Sequence, residues 1–298
     1  LLGEDVGRDG GVFRVTEGLY EKFGPSRVID TPLAELGIVG TSVGLAVGGM
    51  KPIAEIQFDG FSYGAFDQVV SHLSRLRNRT RGRYSCHLVI RMPYGGGIKA
   101  LEHHSEAPEP YFAHVPGVKV VIPSTPHDAK GLLKASIRDP DPVIFFEPKR
   151  LYRAIREEVP ETEYMEEIGK AKIRRSGDDV TVIAWGSMVR VCMQAAEQLT
   201  DVSTEVIDLR TISPMDTETI LQSVTKTGRA VIVHEAPRSF GVGAEISARI
   251  AERDLLSLEA PIKRVTGWDV PTPYPRLEDY FLPGVERVKK AVSDTANF

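Results

Sequence analysis

The chain has 298 residues, 42% of them apolar and 26% charged, with a formal net charge of −4. That length supports two domains of ordinary size, each with its own core. The charge gives no general attraction to nucleic acid or anionic lipid, no apolar run has the length of a membrane span, and two cysteines build neither a disulfide framework nor a zinc ribbon.

Few cysteines and no signal-peptide pattern fit a reducing, intracellular setting. The opening LLGEDVG reads as the end of a strand, so a helix is expected before it. In chain order, helices are predicted over 35–50, 64–77 and 125–138, the last with Pro126 in its first turn. Strands are predicted over 51–58, 86–93, 118–124 and 141–148, where β-branched or aromatic runs are bounded by Gly, Pro or Asp. Residues 156–178 are highly charged and weakly periodic, which reads as a linker over the surface. The pattern then restarts with strands over 179–186, 203–210, 229–235 and 260–267, and helices over 187–199, 216–227 and 243–254. This alternation predicts two α/β domains with parallel sheets, residues 1–155 and 179–298.

Ligands of parallel α/β sheets collect at the carboxyl ends of the strands. That rule puts QFDGFSYG, MPYGGG and IPSTP on a functional rim of the first domain, and WGSM, DLRTISP and HEAPRSFG on that of the second.

Each candidate on the first rim has a chemical and a bland reading. Asp30 or Thr31 can cap the first helix, with Pro32 at its first position. Glu35 then stands among Leu33, Leu36, Ile38 and Val39, where a buried carboxyl can hold or pass a proton; an exposed first-turn acid favouring the helix dipole is the alternative. The glycines of MPYGGG either allow a ligand close to the backbone or form a mobile loop, and they match neither a P-loop nor GxGxxG. His103 and His104 diverge too much to share one ion easily; one is a candidate acid/base, against an exposed, inert pair. The five arginines of SRLRNRTRGR suit phosphates, a subunit contact or a solvated helix end. Phe61 is a stacking face or core.

The ordered segments LGEDVG, GVFRVTEGL, RVIDTPLAELGIVGTSVGLA, AEIQF, AFDQ, RMPYGGG, HHSEAPEPYFAHVPGVKVVIPSTPHDAKGLL, DPDPVIFFEPKRLYR and DLRTISPMD resemble the beta subunit of a thiamin-diphosphate-dependent 2-oxo acid dehydrogenase, over nearly the whole chain. This is the decarboxylating first component of the pyruvate and branched-chain multienzyme complexes. The resemblance implies two doubly wound parallel-sheet domains: a pyrimidine-binding domain and a transketolase C-terminal-like domain. It places on Glu35 the glutamate that hydrogen-bonds N1′ of the aminopyrimidine ring, favouring the imino form whose 4′ nitrogen takes the C2 proton. It places on His104, followed by Ser105, the histidine that serves proton transfer or reductive acylation of the lipoyl group; His103 is secondary. Phe61 is implied to lie against the aminopyrimidine, with Gln57 and Glu55 as further wall. A potassium ion is implied near residues 136–141, with Asp139 and Asp141 as side-chain ligands.

Members of this kind hold magnesium and the cofactor's phosphates through a GDG motif with a downstream Asn. This chain has only RDGG and SGDD. The resemblance therefore implies an alpha subunit that carries the motif, an α2β2 heterotetramer with a second beta chain, and a beta chain inactive alone. The second domain is implied to meet the partner beta chain and the lipoyl-bearing acyltransferase core. Branched-chain or broad 2-oxo acids are the expected substrates, with pyruvate the alternative. The expected location is the cytoplasm of a prokaryote or the mitochondrial matrix of a eukaryote. A transketolase-like half and a non-catalytic scaffold subunit are the rival readings.

Overall fold

The computed structural model describes residues 1–298, the side chain of Glu102 excepted. Twelve strands follow in chain order: β1 (Leu2–Gly3), β2 (Ile29–Asp30), β3 (Ile53–Glu55), β4 (Val89–Tyr94), β5 (Lys119–Val121), β6 (Val143–Pro148), β7 (Lys172–Arg175), β8 (Val180–Ala184), β9 (Thr204–Asp208), β10 (Thr211–Ser213), β11 (Ala230–Pro237) and β12 (Lys263–Gly267). They form a seven-stranded sheet, β10-β5-β6-β4-β3-β1-β2, and a five-stranded sheet, β12-β11-β8-β9-β7.

Pairing is parallel throughout except at one edge of each sheet, where β10 runs antiparallel to β5 and β7 antiparallel to β9. The central strands explain the parallel arrangement. Every residue of β4 and of β6 is buried, and the two pair in register over six residues, so both faces must be covered. Burying each large apolar side chain of such strands contributes about 1.5–3 kcal/mol.

Helix Pro126–Arg138 starts as the sequence predicts: the Thr125 side chain accepts from Asp128 N at 3.2 Å, and Pro126 leads. Helix Thr217–Thr227 is capped by Asp216 and ends at left-handed Gly228. Two helical expectations are corrected. The first long helix begins at Glu35, as the predicted span has it, but Pro32 lies outside it and no side chain caps it; Asp30 instead accepts from Gly7 N at 2.6 Å and tethers the segment after β1. The helix expected over 64–77 is broken into Ser62–Asp67, a wider turn over Gln68–Leu73 and Leu76–Arg79. Ser74 N bonds five residues back, to Val69 O at 3.0 Å, which ends the regular 3.6-residue register.

Two edge strands also depart from expectation. β7 lies within the stretch that reads as a linker, and β10 leaves the second half of the chain to complete the first sheet. The two sheets are thereby joined. One apolar core runs from Ile90, Ile122 and Phe146 of the first to Ile183, Trp185 and Ile207 of the second. Around the crossing, Asp128 pairs with Arg174 and Arg210, and Arg174 also bonds Asp208 at 2.7 Å.

Candidate active site

The carboxyl ends of four strands in the first sheet deliver the candidate side chains. Glu4 and Asp5 follow β1, Gln57 and Phe58 follow β3, the triglycine follows β4, and Lys149 follows β6. Glu35 opens the helix beside them.

Glu35 is buried, only 7% exposed, and its Oε1 has no hydrogen-bond partner. It shares this corner with Glu4, whose carboxyl is held above its usual range, first by burial and then by the charges of Asp5 and Glu35. Glu4 Oε2 is likewise buried without a partner. Gln57 Nε2 donates to Asp5 Oδ2 at 2.9 Å. Acceptors therefore outnumber donors here, an arrangement that suits a ligand bringing N–H groups.

Residues 57–61 lead from this corner to His104. The imidazole stacks on Phe58, with centroids 4.3 Å apart and planes 19° apart, and meets the edge of Phe61 at 4.9 Å and 79°. The ring is half-buried and its Nδ1 has no partner. Its pKa lies below the ordinary histidine value, chiefly because burial penalises the cation; the His103 backbone opposes this, and the charges of His103 and Lys149 add to it. His103 is exposed, and its carbonyl packs on Gly60, where an added Cβ would lie 1.9 Å from it. Only a glycine at position 60 allows the histidine turn to sit this close to the Asp59–Phe61 turn.

The triglycine neither leads into a helix nor hangs free. Gly96 N donates to Glu235 Oε2 at 2.9 Å, and Lys99 N donates to Glu278 Oε2 at 3.1 Å, both across to the second half of the chain. Gly95 N donates to Glu106 O at 2.7 Å and closes the loop that carries the histidines.

Glu55 does not stand open as a wall. It pairs with Arg91, whose Nε and Nη2 also grip Glu147 at 2.6 and 2.7 Å, in a network that Tyr152 extends. Asp139 and Asp141 lie at the other end of β6 from Lys149. Asp139 pairs with Lys119 at 2.6 Å and Asp141 with Arg77 at 2.7 Å. Carboxylates already neutralised by cations of the chain do not fit an added potassium ion. Beside them a cleft of about 740 Å³ is lined in part by Arg77, Arg81, Lys119 and Asp141, which is where the arginine-rich segment sits. Among the described residues one trio, His127, Asp128 and Glu166, is close enough to share an ion, but Asp128 is already held by Arg174 and Arg210.

Residues 1–155 match the transketolase pyrimidine-binding domain family, and residues 169–288 match the transketolase C-terminal domain family. The chain is 54% identical to a pyruvate dehydrogenase E1 component subunit beta of Acholeplasma laidlawii, over 97% of this chain and 89% of that protein. It is 49% identical to a 2-oxoisovalerate dehydrogenase subunit beta of Bacillus subtilis, over 100% and 92%. This chain belongs to the 2-oxo acid dehydrogenase E1 beta-subunit family. A mitochondrial 2-oxoisovalerate dehydrogenase subunit beta of Dictyostelium discoideum is 53% identical over 98% of this chain and 80% of that protein. A solved split-gene transketolase, an inactive beta4 tetramer, shares the fold at a TM-score of 0.80, with 21% identity, over 100% of this chain and 91% of that one. No helix among the described residues is long and apolar enough to cross a membrane.

For an E1 beta subunit, the unpartnered Glu35 oxygen in an apolar helix start fits the aminopyrimidine of thiamin diphosphate. Sequence reading passed over Phe58, Asp59, Lys149, Glu109 and Glu235. Phe58 and Asp59 sit inside the quoted QFDGF, at a strand end, which is a usable signal. Glu109 and Glu235 carry none, because their burial is created by the packing of one half of the chain on the other.

Proposed function

We propose that this chain is the catalytic beta half of a 2-oxo acid dehydrogenase E1 component, acting with an alpha chain in an α2β2 assembly. Glu35 would hold thiamin diphosphate by accepting a hydrogen bond from the aminopyrimidine, with Phe61 and Gln57 as its nearest walls. When bound, that cofactor supplies an electron sink for decarboxylation. The observation that carries the reading is the buried carboxylate oxygen of Glu35 without a partner, on the same strand-end rim as a half-buried histidine.

The chain's own side chains have distinct tasks. Glu35 holds a proton-sharing contact at the ring nitrogen in a site shielded from water. His104, kept neutral by its surroundings, takes up or returns a proton beside the substrate and the incoming lipoyl sulfur. Magnesium and the phosphates belong to the alpha chain, whose GDG motif this sequence lacks. The acyl acceptor is the lipoyl-lysine of an acyltransferase core. Branched-chain or broad 2-oxo acids are the substrates; pyruvate is the second reading, supported by the 54% identical relative that bears its name. The site of action is the cytoplasm of a bacterium or the mitochondrial matrix.

Co-expression with an alpha subunit and an assay of 2-oxo acid decarboxylation with an artificial acceptor tests this. Glu35→Gln should lower kcat by about 10²–10⁴-fold. His104→Ala should slow acylation of the lipoyl group. Full activity from this chain alone, or a fully active Glu35→Gln variant, overturns the reading.

A further inference from the structure

Behind the aromatic wall lies an ion pair that the assigned chemistry does not use. Lys149 and Asp59 are both fully enclosed, and Lys149 Nζ lies 2.5 Å from Asp59 Oδ1. Desolvation of such a pair consumes most of its attraction, so it adds little to net stability. Burial accordingly raises the Asp59 carboxyl and lowers the Lys149 ammonium from their usual ranges. Asp59 Oδ2 has no partner at all.

What the pair touches is more informative. Asp59 begins the turn Asp59–Phe61, pinned by Ser62 Oγ donating to Asp59 O at 2.5 Å. Lys149 Nζ lies 5.9 Å from the ring centroid of Phe58. That ring is the one on which the His104 imidazole stacks. His104 Nδ1 has no hydrogen-bond partner, and the face and edge of the ring pack on Phe58 and Phe61.

We propose that Lys149, locked by Asp59, is a positioning residue for His104: it anchors Phe58 beneath the imidazole and holds the ring ready to accept a proton. The proposal rests on the reading of His104 as the acid/base of the site. The charged and titratable groups around that imidazole are Lys149 and Asp59 behind Phe58, His103 on its own turn, and Tyr63 with Glu106, which bond each other next to His103. Lys149 is the cation nearest Phe58, and its field opposes a second positive charge on the imidazole.

The test is the pH dependence of His104 carbethoxylation by diethyl pyrocarbonate, which reacts with neutral imidazole, read by peptide mass spectrometry. It is run on the full chain alone and with its alpha partner. In Lys149→Met the midpoint should move up by about half a unit, slowing reaction near about pH 5.5 roughly threefold. Asp59→Asn/Lys149→Met removes both charges, so no lone buried carboxylate threatens folding, and it should move the midpoint up by less than the single change, because the Asp59 charge that favours the imidazolium leaves with it. In the assembled enzyme the acid limb of kcat should move with the midpoint while KM stays put; a loss of packing alone would lower kcat equally at every pH. An unmoved midpoint in a folded double variant overturns the proposal. A fully active His104→Ala enzyme would instead overturn the role of His104 and leave the titration result standing.

Discussion

The backbone N–H of Gly96 donates to Glu235 Oε2 at 2.9 Å, so a carboxylate of the second sheet holds the loop that carries the histidines of the first. Ser187 Oγ fixes the other oxygen of Glu235 at 2.5 Å. Gly95 has φ +80, and a Cβ there would lie 2.8 Å from Glu235 Oε2. Glu235→Ala would leave Gly96 N–H and Ser187 Oγ buried without acceptors. It should lower stability by about 1–3 kcal/mol, read as a drop in the urea midpoint. Glu235→Gln keeps an acceptor of the same shape and should lose less.

Glu109 gives a pH prediction. It is fully buried, and Trp185 Nε1 donates to its Oε1 at 3.2 Å, while Oε2 has no partner. Burial foremost, then the charge of Glu235, pushes its carboxyl up to about 8. The fold therefore keeps it protonated at neutral pH, whereas the unfolded chain ionises it near the ordinary 4.5. The unfolded state binds fewer protons over that window, so this group's stability is complete below 4.5 and is lost as pH rises toward 8. Glu109→Gln, always neutral, should flatten this slope. At pH 8 it should be more stable than the parent by about 2–4 kcal/mol in denaturant titrations.

The sequence was legible where one residue pattern dictates one local structure. The β-branched runs around Val89–Tyr94 and Val143–Pro148 announce buried parallel strands, and Thr125 with Pro126 announces a helix start. Glu35 stood out as an acid in an apolar helix start, while the histidine pair and Phe61 kept both a chemical and a bland reading; the roles given to Glu35, His104 and Phe61, and Gln57 as a wall, came from the family resemblance. β7 and β10 did not announce themselves. Lys172–Arg175 is charged and exposed at an edge, and Thr211–Ser213 is too short for an alternating pattern; each is a strand only because a neighbour offers an open edge. The same holds for Glu55, Asp139 and Asp141. Their ion-pair partners Arg91, Lys119 and Arg77 lie 20 or more residues away in sequence or across a strand, and no spacing rule links them.

Gly60 offers a test of the histidine turn that leaves every ionisable group in place. A Cβ at this position would lie 1.9 Å from His103 O and 2.5 Å from its Cδ2, with the backbone carbon at 3.0 Å. The first contact is with backbone, so no side-chain rotation relieves it, and the turn His103–His104 must move away from Phe58 and Phe61. Displacing a catalytic group by about 1 Å can cost 10²-fold in rate. Gly60→Ala, assembled with an alpha chain, should therefore lose about 10–10²-fold in kcat. Its thermal midpoint should fall less than its activity, because the clash lies between the Asp59–Phe61 turn and the histidine turn and leaves the pairing of β3 with β4 intact. Gly64→Ala serves as the control: nothing lies within 4 Å of a Cβ there, and its activity should match the parent. Equal activity of Gly60→Ala and Gly64→Ala would mean that the position of the His104 turn does not limit the reaction.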